Sequence, residues 1–273
     1  MPYFYHPEIP AAPAGDTTIW QYVSVAELLD LLDCSSLHLT RADHLADPSI
    51  DVENQVFLGV LSGMSGEAAR RSFDLMHSVQ TAVFASRWYA SGSTVHREWL
   101  QCGGAKSQIA VRSTVKALQA SVALVPQKIY VSAMQYMDFA TSPMPTGNVF
   151  LPAVHTCSTL RDERELRLLM LQTGDTKAFS PGPSGGVDLN IDLRSLITGL
   201  RLAPRSAEWL HNLVRSLAER YGATFENTAA DLNVLSERQA CRFKSTTGCG
   251  SCSHTFAPIE SLHDVSPAEE LCT

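Results

Sequence analysis

Arg161-Asp162-Glu163-Arg164-Glu165-Leu166-Arg167 runs without a break into Leu168-Leu169-Met170-Leu171. Charges of both signs feed an apolar run too short for a typical helix of its own. The stretch therefore predicts a strand that enters a core with a polar cluster at its mouth. That mouth is where chemistry could sit.

The chain is long enough to do so. Its 273 residues are 45% hydrophobic, which suits one substantial core in one main domain. A net charge of −7 gives no general attraction to nucleic acid or to anionic lipid. No apolar run approaches the ~18 residues that span a bilayer, and the Met1-Pro2-Tyr3 start lacks a basic, then apolar, leader. A soluble, cytoplasmic protein is expected, with neither nucleic acid nor membrane as partner. Seven cysteines, an odd number without an export signal, suit reduced thiols rather than a disulfide framework.

The prolines at 2, 7, 10 and 13 make residues 1–16 an extended arm ahead of the fold. Ile19–Val23 alternates as a strand. Ser24-Val25-Ala26-Glu27 matches a capping box, and Val25, Leu28, Leu29 and Leu32 form one helical face behind it. Leu37–Thr40 returns as a strand and ends in the polar loop Arg41–Pro48. Glu67–Val79 has a mixed helical period, Thr81–Ser86 is a buried strand delivering Arg87, Trp88 and Tyr89, and a short helix follows through Trp99. Gln108–Arg112 is a strand, with Ser113 placed to cap a helix carrying Val115, Leu118 and Val122. Lys128–Phe139 reads as one long strand. After an exposed loop at Ser180–Gly186, Val187, Leu189, Ile191 and Leu193 alternate as a half-buried strand. Leu200–Ala203 is another. Ser206 caps a helix with Trp209, Leu213, Leu217 and Tyr221 on one face and Gly222 as its C′ residue. Periodicity fades from Ser236.

The ordered series Ile19-Trp20-x-Tyr22, Arg41-Ala42-Asp43 with Asp47-Pro48, Ser86-x-Trp88, Ile109-x-x-x-Ser113-Thr114, Tyr136-x-Asp138, His155 and Glu163-x-Glu165-Leu166-Arg167 resembles a bacterial domain-of-unknown-function family. Its members read W-x-Y, RADK-x-x-DPFE, SCWH, ES-x-x-MW, which Trp99 matches, I-x-ST, YIDY and HKR-x-x-F-x-x-E-x-ELR. The resemblance covers roughly residues 19–235. The chain departs from the pattern at Ser49-Ile50, Arg87, Tyr89, Thr94-Val95 and Thr156-Cys157. Several polar positions change together, which implies a remodelled or silent site.

Two constellations could carry chemistry. Arg41, Ser113-Thr114 and Glu163-x-Glu165 occur in an order similar to the Arg, Ser-Thr-Ser and Glu-x-Glu arrangement of ADP-ribosyltransferases, without the third residue of the serine motif. That likeness implies Arg41 and Ser113 as binders of NAD, and Glu163 and Glu165 as the carboxylates that stabilise an oxocarbenium-like centre. The alternative is that the charges are structural ion pairs and Ser113 only a helix cap. In the second constellation Cys249-x-x-Cys252, with Cys241 and His254, offers a tetrahedral zinc set, against a thiol-bearing tail.

The chain is thus expected to form a single α+β domain over 17–235, a mixed β-sheet with packed helices, between the arm 1–16 and a cysteine-containing tail or small accessory element over 236–273. Two functions follow. One is an NAD-processing enzyme resembling an ADP-ribosyltransferase. The other is a non-catalytic protein, in stress or phage defence, that binds a small nucleotide or a protein partner through a degenerate site.

Overall fold

A computed structural model of the chain describes residues 4, 6–45, 81–90, 109–139, 141–142, 145, 148–172, 185–203 and 206–226. All lie in a unit spanning Met1–Ala230. The expected elements at Glu67–Val79 and through Trp99, most of the Ser180–Gly186 loop, and the C-terminal tail fall outside the described residues. In chain order the strands are β1 (Thr18–Val23), β2 (Ser36–Arg41), β3 (Val83–Ala90), β4 (Ile109–Thr114), β5 (Ile129–Ala133), β6 (Gln135–Met137), β7 (His155–Cys157), β8 (Glu165–Leu171), β9 (Val187–Asn190), β10 (Gly199–Leu202) and β11 (Thr224–Glu226). The helices are α1 (Val25–Cys34), α2 (Val115–Ser121), α3 (Leu151–Val154), α4 (Leu193–Leu196) and α5 (Glu208–Tyr221), with 3-10 turns at Ala42–Leu45 and Ser158–Glu163.

The charged-to-apolar stretch is β8, as its pattern predicts, and it lies antiparallel along the whole of β3 from Val83↔Leu171 to Tyr89↔Glu165. β5 pairs with the other edge of β8. The opposite edge of β3 is shared. β1 takes its C-terminal end through Ile19↔Ala90 and Trp20↔Tyr89, and β2 takes its N-terminal end through Thr40↔Ala85 and Arg41↔Phe84. β1 continues through β4 and β10 to β11, whereas β2 continues only to β9. The β10–β11 pair is parallel and the other pairs of this sheet are antiparallel. The result is a mixed sheet with packed helices, an α+β architecture, forked where β1 and β2 part.

One face of the sheet forms the main core. Ile19, Trp88, Ile109, Leu166 and Leu168 are fully buried there and meet Leu28 of α1, Leu118 of α2, Leu196 of α4 and Val214 of α5. Each such side chain contributes roughly 1.5–3 kcal/mol of burial. The other face carries a smaller core of Val83, Ala85 and Leu169 under Phe150, Leu151, Val154 and Ile9. β6 and β7 form a separate parallel pair.

Several local expectations change. The residues 1–16 arm is folded onto the sheet where it is described: Phe4 N–H donates to Ile129 O at 3.0 Å, Ser132 Oγ donates to Pro10 O at 3.0 Å, and Ile9 is buried. β3 runs on through Arg87, Trp88 and Tyr89 because β8 pairs with each of them. Lys128–Phe139 is two strands in two sheets, β5 and β6, broken at Met134, whose N–H donates to Glu165 O. The strand from Val187 stops at Asn190, because Asp192 accepts from Arg194 N–H at 3.1 Å and starts α4 instead. In α5 the buried stripe is Leu210, Val214 and Ala218, one position round from the expected face, and Trp209 is exposed; no side chain caps its N-terminus. Gly222 does end that helix at φ 69°, a left-handed C′ position that glycine takes without a Cβ penalty. The Ser24–Glu27 capping box forms as expected, with Ser24 N–H donating to Glu27 Oε2 at 2.7 Å and Glu27 N–H to Ser24 Oγ at 3.2 Å.

Candidate functional site

Residues opposite one another in antiparallel strands point to the same face, and the next pair points to the other. Glu165 therefore shares a face with Tyr89, Trp20 and Arg112, which stand in one row across β8, β3, β1 and β4. Ser113 stands in the neighbouring row with Ile19 and Ala90 and points into the main core. It is fully buried, and its hydroxyl donates to Leu196 O at 2.6 Å. Thr114 caps α2 in its place, with Oγ1 accepting from Ala117 N–H at 3.1 Å, because β4 runs one residue beyond Ser113. Arg41 lies opposite Phe84, five positions along β3 from Tyr89, or roughly 16 Å at strand rise. Its guanidinium binds Asp43, through Nε to Oδ1 at 3.0 Å. Burial alone would raise the Asp43 carboxyl, but Arg41 outweighs it and holds the group below its ordinary value. Arg41, Ser113 and Glu165 thus occupy three separate places.

Glu165 itself sits in a buried charge cluster. Arg167, on the same face two residues along β8, donates from Nε to Glu165 Oε1 at 2.6 Å, and Arg87 Nε lies 3.4 Å from the same oxygen. Arg167 Nη1 also donates to Ala153 O at 2.8 Å, which ties β8 to α3. The Tyr136 hydroxyl accepts from Glu165 N–H at 2.8 Å, and burial pushes that hydroxyl up to about 12. Burial works against the Arg87 charge, yet the Glu165 carboxylate, with Tyr89 and then Glu163, outweighs it, so the guanidinium stays charged. Glu163, at the end of the second 3-10 turn and partly exposed, adds its charge to this group without joining Glu165 on the strand. With both Glu165 and Arg167 about 5% exposed, the arrangement chiefly neutralises charge and fastens two layers.

A cavity lies away from Ser113 and Glu165, at the fork. A cleft of about 500 Å³ opens where β1 and β2 peel away from β3, with α1 along one side. The registers explain it. Continued past Trp20↔Tyr89, β1 would set Tyr22 opposite Arg87; continued back from Thr40↔Ala85, β2 would set His38 opposite the same residue. Both strands cannot hold that edge, so both leave it, and Tyr22, His38 and Arg87 all line the gap. Gln21 Nε2 donates to Ser86 Oγ at 3.0 Å on the core side. On the other side the Tyr22 and Tyr89 rings lie 5.7 Å apart, and His38 Nδ1 lies 2.7 Å from Asp188 Oδ1 of β9. A Cβ on Gly186 would run into the Leu39 carbonyl and the His38 ring, so only glycine lets β9 start this close to β2. Sequence reasoning missed this site because nothing local marks two strands as rivals for one edge.

The zinc candidates Cys241, Cys249, Cys252 and His254 lie outside the described residues. Among the described residues no group of three or more His, Cys, Asp or Glu side chains is placed to hold a metal ion, and no helix is long and apolar enough to cross a membrane. Comparison with protein-family models, curated proteins and solved structures finds no match.

Proposed function

We propose that this chain is a non-catalytic binding protein whose small ligand occupies the fork between β1 and β2. The observation that carries the reading is that neither Glu165 nor Ser113 lines the fork. The fork is of the size that small-molecule sites commonly have, and it mixes apolar wall with a few polar groups. Glu165, the carboxylate best suited to stabilise a cationic centre, is buried and already opposed by Arg167 and Arg87, and Ser113 faces the other side of the sheet. The carboxylate and the serine that the transferase order singles out therefore do not line the fork, which supports a ligand being held there rather than converted.

The test is a thermal-shift titration with mononucleotides, nucleobases, NAD and amino acids. Ala26 lines the mouth of the fork and is exposed on α1, so Ala26→Trp fills the mouth without entering the core. The proposal expects at least one ligand class to stabilise the wild type and to lose that effect in Ala26→Trp, and it expects no nicotinamide release from NAD. Release that Glu165→Gln abolishes would overturn it in favour of the transferase or glycohydrolase reading.

A further inference from the structure

Among the described residues, the gap in the sheet leaves one main-chain position between the β1 and β2 pairings of β3 without a strand partner. In an antiparallel strand the N–H and C=O of a given residue point to the same edge, and successive residues alternate. Ala90 N–H donates to Arg164 O and Ala82 O accepts from Gln172 N–H, so the even-numbered residues of β3 face β8. The odd-numbered ones face the fork. Tyr89 meets Trp20 of β1 and Ala85 meets Thr40 of β2. Arg87, between them, has no strand partner on that edge among the described residues. By that alternation its amide N–H and carbonyl oxygen face the edge that borders the cleft, which Arg87 lines. Its side chain is held away by Glu165 and by the Leu45 carbonyl.

We propose that the fork recognises a planar heterocycle through a lactam-type edge, a ring N–H beside a ring C=O, which takes the place of the missing strand opposite Arg87. The inference rests on the fork being the binding site. A backbone N–H and C=O on one strand edge offer a donor and an acceptor side by side, and a cyclic amide supplies the acceptor and the donor in the matching order. The length of the gap selects against a peptide. Only Ser86, Arg87 and Trp88 lie between the β1 and β2 pairings, roughly 10 Å of strand, and both ends are closed by protein. A single ring fits that length, but an added β-strand does not. The surroundings suit a flat ring as well. The Tyr22 and Tyr89 rings stand on one side of the gap, and the Gln21 carboxamide, fixed by its bond to Ser86, stands on the other.

The experiment uses the full chain and ligand-observed NMR titration with uracil and hypoxanthine, each carrying the N–H and C=O edge, beside 1,3-dimethyluracil, which keeps the ring and loses both donors. The expected result is binding of uracil or hypoxanthine, at least tenfold weaker binding of 1,3-dimethyluracil, and loss of both in Ala26→Trp. Equal binding of the methylated ring overturns the edge recognition, whatever the variant does. Failure of both bases while another ligand class stabilises the wild type and not Ala26→Trp overturns this inference and leaves the fork as the binding site. If no ligand class binds at the fork, both fall together.

Discussion

The Arg167 guanidinium donates to Glu165 Oε1 over 2.6 Å from two residues along the same strand, with both side chains about 5% exposed. Adjacent same-face positions on a strand rarely hold opposite charges in so dry a place. The pair is stable because the partners it lacks on β8 come from other elements: Arg87 from the neighbouring β3 beside the Glu165 carboxylate and the Ala153 carbonyl from α3 on Arg167, while the Tyr136 hydroxyl of β6 accepts from the Glu165 main-chain N–H. Removing one member leaves a buried charge uncompensated, which typically costs ~3–5 kcal/mol. Glu165→Leu is therefore expected to lower the unfolding free energy in urea by a few kcal/mol, and Glu165→Leu combined with Arg167→Met to recover part of that loss. A double variant no better than the single would show that the pair is not coupled.

Ser113→Ala separates the structural role of the hydroxyl from a binding one. Its bond to Leu196 O holds β4 to α4 inside the core, and a buried hydrogen bond of this kind is worth ~1 kcal/mol. Chemical denaturation should show a loss of that order. The ligand that occupies the fork should bind Ser113→Ala with unchanged affinity, because the hydroxyl points to the main core and not into the cleft.

Gly186→Ala is expected to do more damage than its one methyl suggests. The Cβ would collide with backbone, the Leu39 carbonyl, as well as with the His38 ring, and backbone cannot swing aside as a flexible side-chain end can. Overpacking of this kind costs ~1–3 kcal/mol. The β2–β9 pair should loosen, and amide exchange at Leu37, His38 and Leu39 should speed up in the variant relative to the strands on the β4 side of the fork.

His155 gives the fold an acid sensitivity. Burial lowers its pKa, against an opposing contribution from the Leu151 carbonyl, which lies 2.7 Å from Nδ1. The ring is therefore more easily protonated in the unfolded chain than in the folded one. Between the folded value and the ordinary value near 6.5 the unfolded state binds more protons, so stability falls as pH drops through that window and is full above it. His155→Gln should flatten the dependence of melting temperature on pH below neutrality. An unchanged slope in the variant would place the sensitivity elsewhere.

Elements whose determinants are neighbours in sequence were legible from it. α1 is written in Ser24, Glu27 and the spacing of its leucines; β8 in the change from charge to apolar run; the end of α5 in Gly222. Thr224–Glu226 was missed because three residues carry no period, and that strand exists through its parallel pairing with β10. In α5 the expected Leu213, Leu217 and Tyr221 do pack on the main core, half-buried beside the fully covered Leu210, Val214 and Ala218, but Trp209 is exposed although its size suggests burial.

What the sequence by itself determined is therefore most of the longer strands, the helices α1 and α5, the Ser24–Glu27 cap, the Gly222 stop, the α+β class and the charged mouth of β8, each of which depends on residues a few places apart. What only the tertiary structure decided is which side chains share a face and where the cavity lies. Ser113 and Glu165 were parted by a one-residue step in a register that links β4, β1, β3 and β8. The fork arose because β1 and β2, separated by α1, reach the same edge of β3 with registers that meet at Arg87. Period-two alternation tells a strand which of its residues belong together, but the choice of partner and register comes from pairing across long stretches of chain, and it is that pairing which sets the cavity at the fork.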